Sequence, residues 1–357
     1  MEKNASRLAF LDFLRIFSFV SVLIGHKFYV QLSQLAETDY LHQSLRTLIK
    51  GILPFCVGGG AGVVVFFLVS GYVITFVLEV EKPNEFIIKR IFRIYPLYMF
   101  AVLIQTILLA KIQHVHTKMS VLIPQLLLVG NFFNTPYSLN GVEWTLRIEV
   151  FFYIFMYLMS HFKILNDKKP FYPWILVFMT LLLGLLPAMP SEITKAYINL
   201  YTPFLFLGSF FFLYEKKRVN LQFLIGFCCL IFIQHWQLIS YHQPAWRIYN
   251  FAIYAFFIFL ALWSMKKHVT NTALTLLISE LTYSVYLFHN WLFDYIKDLN
   301  IFGLSFHKSK YALGLLLLIC FFMTKFVEKP GIKMGRKLLR RTNKTSFNQD
   351  SLDYRPS

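Results

Sequence analysis

The sequence predicts an all-α integral membrane protein, a bundle of about ten transmembrane helices with both termini on the cytoplasmic side. Three observations predict it. First, 57% of the 357 residues are hydrophobic, Phe alone occurring 40 times, and only 15% are charged, against about 25% in an average soluble domain. Second, the mean hydropathy is +0.56, and the apolar residues fall in runs of about the 20 residues that a membrane-crossing helix needs. Third, the net charge of +17 sits in short loops between those runs and in a basic tail, which is how an orientation signal is distributed. This placement argues against nucleic-acid binding.

Ten runs qualify in order along the chain: 8–30, 52–79, 94–112, 142–161, 171–189, 198–214, 221–240, 246–265, 276–298 and 311–327. The first is read as a retained helix, because Asp12, Arg15 and His26 interrupt it and no small-residue cleavage site follows. The stretch 120–134 is too short to span comfortably and reads as re-entrant or surface-lying. With that assignment, the basic loops at 80–93, 163–169, 216–218 and 266–267 share one side with both termini. That side then carries 22 Lys and Arg, and the opposite side nine. A full crossing at 120–134 would invert everything after it and erase the asymmetry, so the positive-inside rule selects ten spans. Residues 1–340 read as one membrane-embedded domain and 341–357 as a basic, polar cytoplasmic tail, frayed beyond about residue 340. Cys56, Cys228, Cys229 and Cys320 lie inside apolar runs without metal-ligand spacing. They read as small buried hydrophobes, with no disulfide framework and no metal site.

Ionisable residues inside apolar spans cost about 2.5–3.5 kcal/mol each on insertion scales, and they mark protein interiors. Arg15 and His26 are eleven residues apart, which on a regular helix places them on one face and roughly 16 Å apart along the axis. Asp12, three residues before Arg15, can pair with it. Arg90 and Arg93 share a face of the amphipathic segment from Phe86 to Pro96, where two guanidiniums suit a phosphate or pyrophosphate. The alternative there is an anchor on lipid headgroups. Glu149, five residues into the span that Trp144 opens, is expected to orient an imidazole, and the bland alternative is a pair with Arg147. Tyr283, Tyr286 and His289 recur every three residues on one helix face. The Gly-rich stretch at 58–62 and the pair Ser70-Gly71 read chiefly as close helix packing. Glu328 either pairs with an Arg at the same membrane depth or caps an exit turn.

These residues belong to pieces that resemble the acyltransferase-three family of multispan membrane O-acyltransferases, which modify bacterial surface glycans. The pieces are the stretch Leu11 to Arg15 with its ten-residue gap to His26, Phe66 to Tyr72, Lys89 to Arg93, Trp144 to Glu149 with Phe152 and Tyr153, Thr282 to His289, and Phe326 to Pro330. They occur in family order over nearly the whole chain.

The resemblance implies a bacterial inner (plasma) membrane enzyme that takes an acyl group, most often acetyl, from cytoplasmic acyl-CoA. The acyl-CoA (acetyl-CoA) is a co-substrate, and no bound cofactor or metal is expected. The acceptor implied is a hydroxyl of an extracytoplasmic carbohydrate, a free glycan or a lipid-linked one, such as lipopolysaccharide O-antigen or a related surface glycan. Membrane lipids are the other expected partners. His26, Arg15 and Glu149 carry over as catalytic residues and Arg90 and Arg93 as donor-binding residues. Tyr283, Tyr286, His289, Trp144 and Ser70 are expected at the acceptor or the oxyanion. Val150 stands where many members have a second acidic residue, which speaks against paired carboxylates. A proton-coupled transporter built on the buried Arg, His and Glu set is the alternative reading.

Overall fold

The computed structural model describes residues 8–165, 171–186, 196–298, 300–301, 304–305 and 309–350. Among them the regular structure is helical except for the two-residue strands Asn300–Ile301 and Leu304–Ser305, which pair antiparallel. Fifteen α-helices follow in order: α1 (Ala9–Leu23), α2 (Tyr29–Glu37), α3 (Gln43–Ile52), α4 (Gly60–Leu78), α5 (Pro83–Ile112), α6 (Met119–Leu126), α7 (Trp144–His161), α8 (Phe171–Leu185), α9 (Tyr197–Glu215), α10 (Leu221–His242), α11 (Phe251–Ser264), α12 (Ala273–Phe288), α13 (Trp291–Asp298), α14 (Ser309–Met323) and α15 (Lys329–Asp350). Six continuous helices are long and apolar enough to cross a membrane: Ala9–Glu37, Gln43–Leu78, Pro83–Ile112, Tyr197–Glu215, Leu221–His242 and Ser309–Arg341. The apolar helices α8, α11 and α12 are shorter. α7 has 18 residues, but Arg147 and Glu149 lower its apolar character.

Several expected boundaries move, each for a local reason. α6 has eight residues, about 12 Å of rise, so this helix is too short to cross a membrane. The expected span 276–298 breaks at His289 and Asn290 into α12 and α13. There the Asn290 side chain donates to the backbone oxygen of Asn140 (3.1 Å). The expected span 246–265 begins as a 3-10 turn at Pro244–Tyr249. At the other end of the chain, the helix does not stop at Pro330. A π-helical turn, Thr324–Glu328, precedes it, and α15 runs on to Asp350. The wider turn relieves the clash of a proline ring with the carbonyl four residues back. The tail expected to fray after residue 340 is therefore helical through Asp350, and 351–357 lie outside the described residues. So do 1–7, 166–170 and the end of the expected fifth span, 187–189.

The bundle centres on α4, which packs against α9, α1 and α11. Glycines allow this closeness. A Cβ on Gly71 would lie 1.8 Å from the Leu205 carbonyl oxygen, and one on Gly208 would lie 2.0 Å from that of Leu68. The two helices thus touch backbone to backbone, the packing reading of Ser70-Gly71. α1 meets α4 in the same way, Gly62 lying under the Ser18 carbonyl. The buried phenylalanines of α9 pack outward to its neighbours, Phe212 against Tyr72 of α4, Phe210 against Phe227 of α10 and Phe211 against Phe259 of α11. The four cysteines are free. Cys229 is exposed on α10 rather than buried as expected, because it lies on the helix face turned away from the bundle.

Candidate active site

Two cavities gather most of the expected site residues, the arginines in one and the histidines in the other. The first, of about 430 Å³, is lined by Arg15 of α1, Ser70 of α4, Arg90 and Arg93 of α5, Glu149 and Tyr153 of α7, Tyr283 and Tyr286 of α12, and Glu328. Arg15 is held from below by Asp12, which accepts from Arg15 (3.2 Å), Asn271 (2.8 Å) and Ser279 (2.7 Å). That triple engagement makes burial of the Asp12 carboxylate tolerable, since a buried charge needs pairing and hydrogen bonds. Arg90 lies between the rings of Phe86 (5.4 Å) and Tyr153 (5.8 Å). Neither Arg90 nor Arg93 has an ion-pair partner within 4 Å among the described residues. The two cations face one cavity with Glu149 and Glu328 on the same lining but not in ion-pair contact, so their guanidiniums can meet an external anion.

Glu149 accepts hydrogen bonds from Ser70 (2.9 Å) and from the Tyr153 hydroxyl. Two expectations change here. Glu149 does not hold His26: it lines the arginine cavity, and its hydrogen-bond partners are Ser70 and Tyr153. Nor does it pair with Arg147, which instead binds Glu143 one helical turn earlier and Asn131, with its guanidinium over Tyr137.

The second cavity, of about 460 Å³, is lined by His26, Trp144, Tyr197, Tyr201, Trp246, Tyr286 and His289 among others. The His26 and His289 rings stand 5.3 Å apart between centroids. His289 Nδ1 lies 2.7 Å from the Tyr286 carbonyl oxygen. A carbonyl only accepts, so Nδ1 carries the hydrogen, and Nε2 of the neutral ring is a bare lone pair. That Nε2 is buried and has no hydrogen-bond partner. The side chain is therefore set to accept a proton or a hydrogen bond from whatever fills the cavity.

Arg15 and His26 open onto different cavities. α1 gives way at Ile24–Phe28 to a π-helical turn that carries His26, and the distance along the axis places Arg15 and His26 on opposite sides of Val22, which lines both cavities. Gly25 makes room for this turn, since a Cβ there would meet the backbone of Gly59 and Cys56. The expected oxyanion groups Tyr283 and Tyr286 are already engaged. The Tyr283 hydroxyl donates to the Ile94 carbonyl (2.8 Å), and that of Tyr286 lies 2.6 Å from Thr145 Oγ1 and 3.2 Å from the Val142 carbonyl. Trp144 packs against Tyr197 and Tyr201 with tilted rings in the histidine cavity, whereas Ser70 sits with Glu149 in the other. Val22, Val63 and Tyr286 line both cavities and form the layer between them.

The profile of the acyltransferase-three family, described as an acyltransferase domain, matches residues 8–327. The chain belongs to that family. It is a membrane acyltransferase, its described residues supplying several apolar helices of crossing length. The family places it among acyltransferases rather than carriers. No curated protein and no solved structure matches the chain.

Three features were missed from sequence. The aromatic residues Tyr197, Tyr201 and Trp246 line the histidine cavity, although their places at the ends of apolar runs were visible. The buried Glu143–Arg147 pair has the four-residue spacing of helix neighbours. Glu143 also accepts from Tyr98 (2.6 Å) and from Ser138, and this network fixes the loop that carries Asn140 and Val142. Third, the sequence offered no sign of the layer shared by the two cavities.

Proposed function

We propose that this acyltransferase moves an acetyl group from acetyl-CoA, bound from the cytoplasm, to a hydroxyl of a carbohydrate on the far side of the bacterial inner membrane. The observation that supports this is the pairing of an arginine cavity with a histidine cavity across one layer of side chains. In this reading ten segments span the membrane, both termini are cytoplasmic, and residues 1–340 form the catalytic unit. Arg90 and Arg93 hold the phosphates of CoA, with Arg15 behind them and Glu149 keeping the array from excess positive charge. The acyl thioester reaches toward Val22, Val63 and Tyr286. His26, with His289 beside it, takes the proton from the acceptor hydroxyl. The hydroxyl oxygen attacks the thioester carbonyl, the carbon–sulfur bond breaks, and the CoA thiolate takes a proton from the donor side. The product is an O-acetyl ester. The acceptor is lipopolysaccharide O-antigen or a related surface glycan.

General-base help is typically worth 10²–10⁴ in rate. The test is mass spectrometry of surface glycans from cells carrying the wild-type chain, His26→Ala, His289→Ala, or no chain. The expected result is an acetyl mass gain with the wild-type chain that both variants lose while still reaching the membrane. Undiminished acylation by both variants would refute the assignment.

A further inference from the structure

α15 starts at the arginine cavity and runs outward from it. Lys329 and Ile332, in its first turn, line that cavity. Two glycines then set its course. A Cβ on Gly331 would lie 2.8 Å from Pro96 Cγ, and one on Gly335 would lie 2.6 Å from Phe92 Cβ. Four residues forward on α15 therefore match four residues back on α5, so the two helices run antiparallel and in contact. Lys333 lies about level with Arg93, and Arg336 and Arg340 lie further out, beside the start of α5. At about 100° per residue, Lys333, Arg336 and Arg340 fall within roughly 60° of one another around the axis and in line with Lys329. All three are exposed. Lys329 is paired with Glu280 (2.8 Å), but none of the other three has an ion-pair partner among the described residues. The exposed apolar residues Met334 and Leu338 sit about 120–160° round the helix from Arg340. The side of α15 that can meet hydrocarbon is thus not the side that carries the cations. The cation stripe instead continues the lining of the arginine cavity past its mouth.

We infer that this stripe reads the 3′-phosphate of CoA and so sets donor specificity. With the diphosphate on Arg90 and Arg93, the adenosine end stays outside the cavity. Its 3′-phosphate meets Arg336 and Arg340, whose guanidinium forks suit a terminal phosphate, and Lys333 stands between the two phosphate sites. The inference rests on the acetyl-CoA reading and adds a selection against donors that carry the same acyl group and thiol but lack that phosphate.

The test uses the full chain in neutral phosphatidylcholine nanodiscs, with Kd read by titration calorimetry. The probes are CoA and dephospho-CoA, which differ only in the 3′-phosphate. The wild-type chain should bind CoA about 10–100-fold more tightly, the worth of charged hydrogen bonds to one phosphate. Arg336→Ala combined with Arg340→Ala should bring that ratio close to one by weakening CoA alone, and the corresponding pair of Lys substitutions should keep part of it. Lys217→Ala combined with Lys267→Ala removes the same charge from two other exposed positions and should leave the ratio unchanged. Monodisperse elution of each variant shows that it is folded. Equal binding of the two probes by the wild-type chain, or an undiminished ratio in the double Arg variant, would overturn the inference. So would a ratio reduced as much by the Lys217 and Lys267 pair, which marks diffuse charge, or one lost when phosphatidylglycerol is added, which assigns the stripe to lipid headgroups. Failure of the donor reading itself shows separately, as binding of neither probe.

Discussion

Replacing Gly71 by Ala tests whether the contact between α4 and α9 sets the shape of both polar cavities. The added Cβ would lie 1.8 Å from the Leu205 carbonyl oxygen. Ordinary van der Waals contact begins at 3.4 Å, so the helices must part by about 1.6 Å there. The obstacle is backbone, with no rotamer to swing away, and its reciprocal at Gly208 is equally tight. Overpacking a core costs typically 1–3 kcal/mol, and a rigid backbone contact belongs at about 3 kcal/mol. At about 2 °C per kcal/mol for a large chain, the melting midpoint should fall by about 6 °C. Ser70 moves with α4, so its bond to Glu149 should be lost and acyl transfer should fall further than stability alone requires. The control is Gly226→Ala on α10, where a Cβ meets nothing within 4 Å. It should be neutral or gain up to about 1 kcal/mol from helix propensity. The assay is loss of the monodisperse chromatographic peak after heating detergent-purified protein, beside glycan acylation in cells. Equal melting of Gly71→Ala and Gly226→Ala would refute the argument that backbone contact between α4 and α9 holds the bundle.

Two further predictions concern charge. Arg90→Ala and Arg93→Ala should each raise KM for acetyl-CoA about 10–100-fold with little change in kcat, since a hydrogen bond to a charged group is worth about 1.5–3 kcal/mol. Steady-state kinetics with purified protein checks this, and an unchanged KM in both would remove the donor assignment. Arg147→Ala should destabilise by about 3–5 kcal/mol, the cost of stranding one partner of a buried ion pair, here Glu143. The same melting assay reads it, and Arg147→Ala together with Glu143→Gln should recover part of the loss.

What was legible in the sequence was mostly local. Asp12 and Arg15 pair at three residues as their helix spacing required, and Arg90 and Arg93 face one cavity because a regular helix carries them. The apolar runs gave the helices because a crossing segment must satisfy its own backbone. What escaped depended on breaks in regularity or on distant contacts. The π-helical turn at 24–28 breaks the regular helix, and Gly25 packs there against Gly59, 34 residues away. Glu149 meets Ser70 across 79 residues, which no spacing rule reaches, so its expected partnership with His26 was misplaced. His289 carried the same residue-level signal as its neighbours Tyr283 and Tyr286. Only the hydrogen bonds separate a nitrogen left open from hydroxyls already engaged.

The layer of Val22, Val63 and Tyr286 between the two cavities has an electrical consequence. On the proposed orientation, the arginine cavity faces the donor side, the histidine cavity faces the acceptor side, and that layer divides them. The acetyl group is uncharged and crosses without feeling the field. In the proposed transfer the base takes a proton on the acceptor side and the CoA thiolate takes one from the donor side, so each turnover would move one charge across the partition. Such a separation couples to voltage at roughly 2.3 kcal/mol per 100 mV, and a potential negative on the donor side opposes it. In that scheme the bundle acts as the dielectric of a small capacitor that every catalytic cycle would charge.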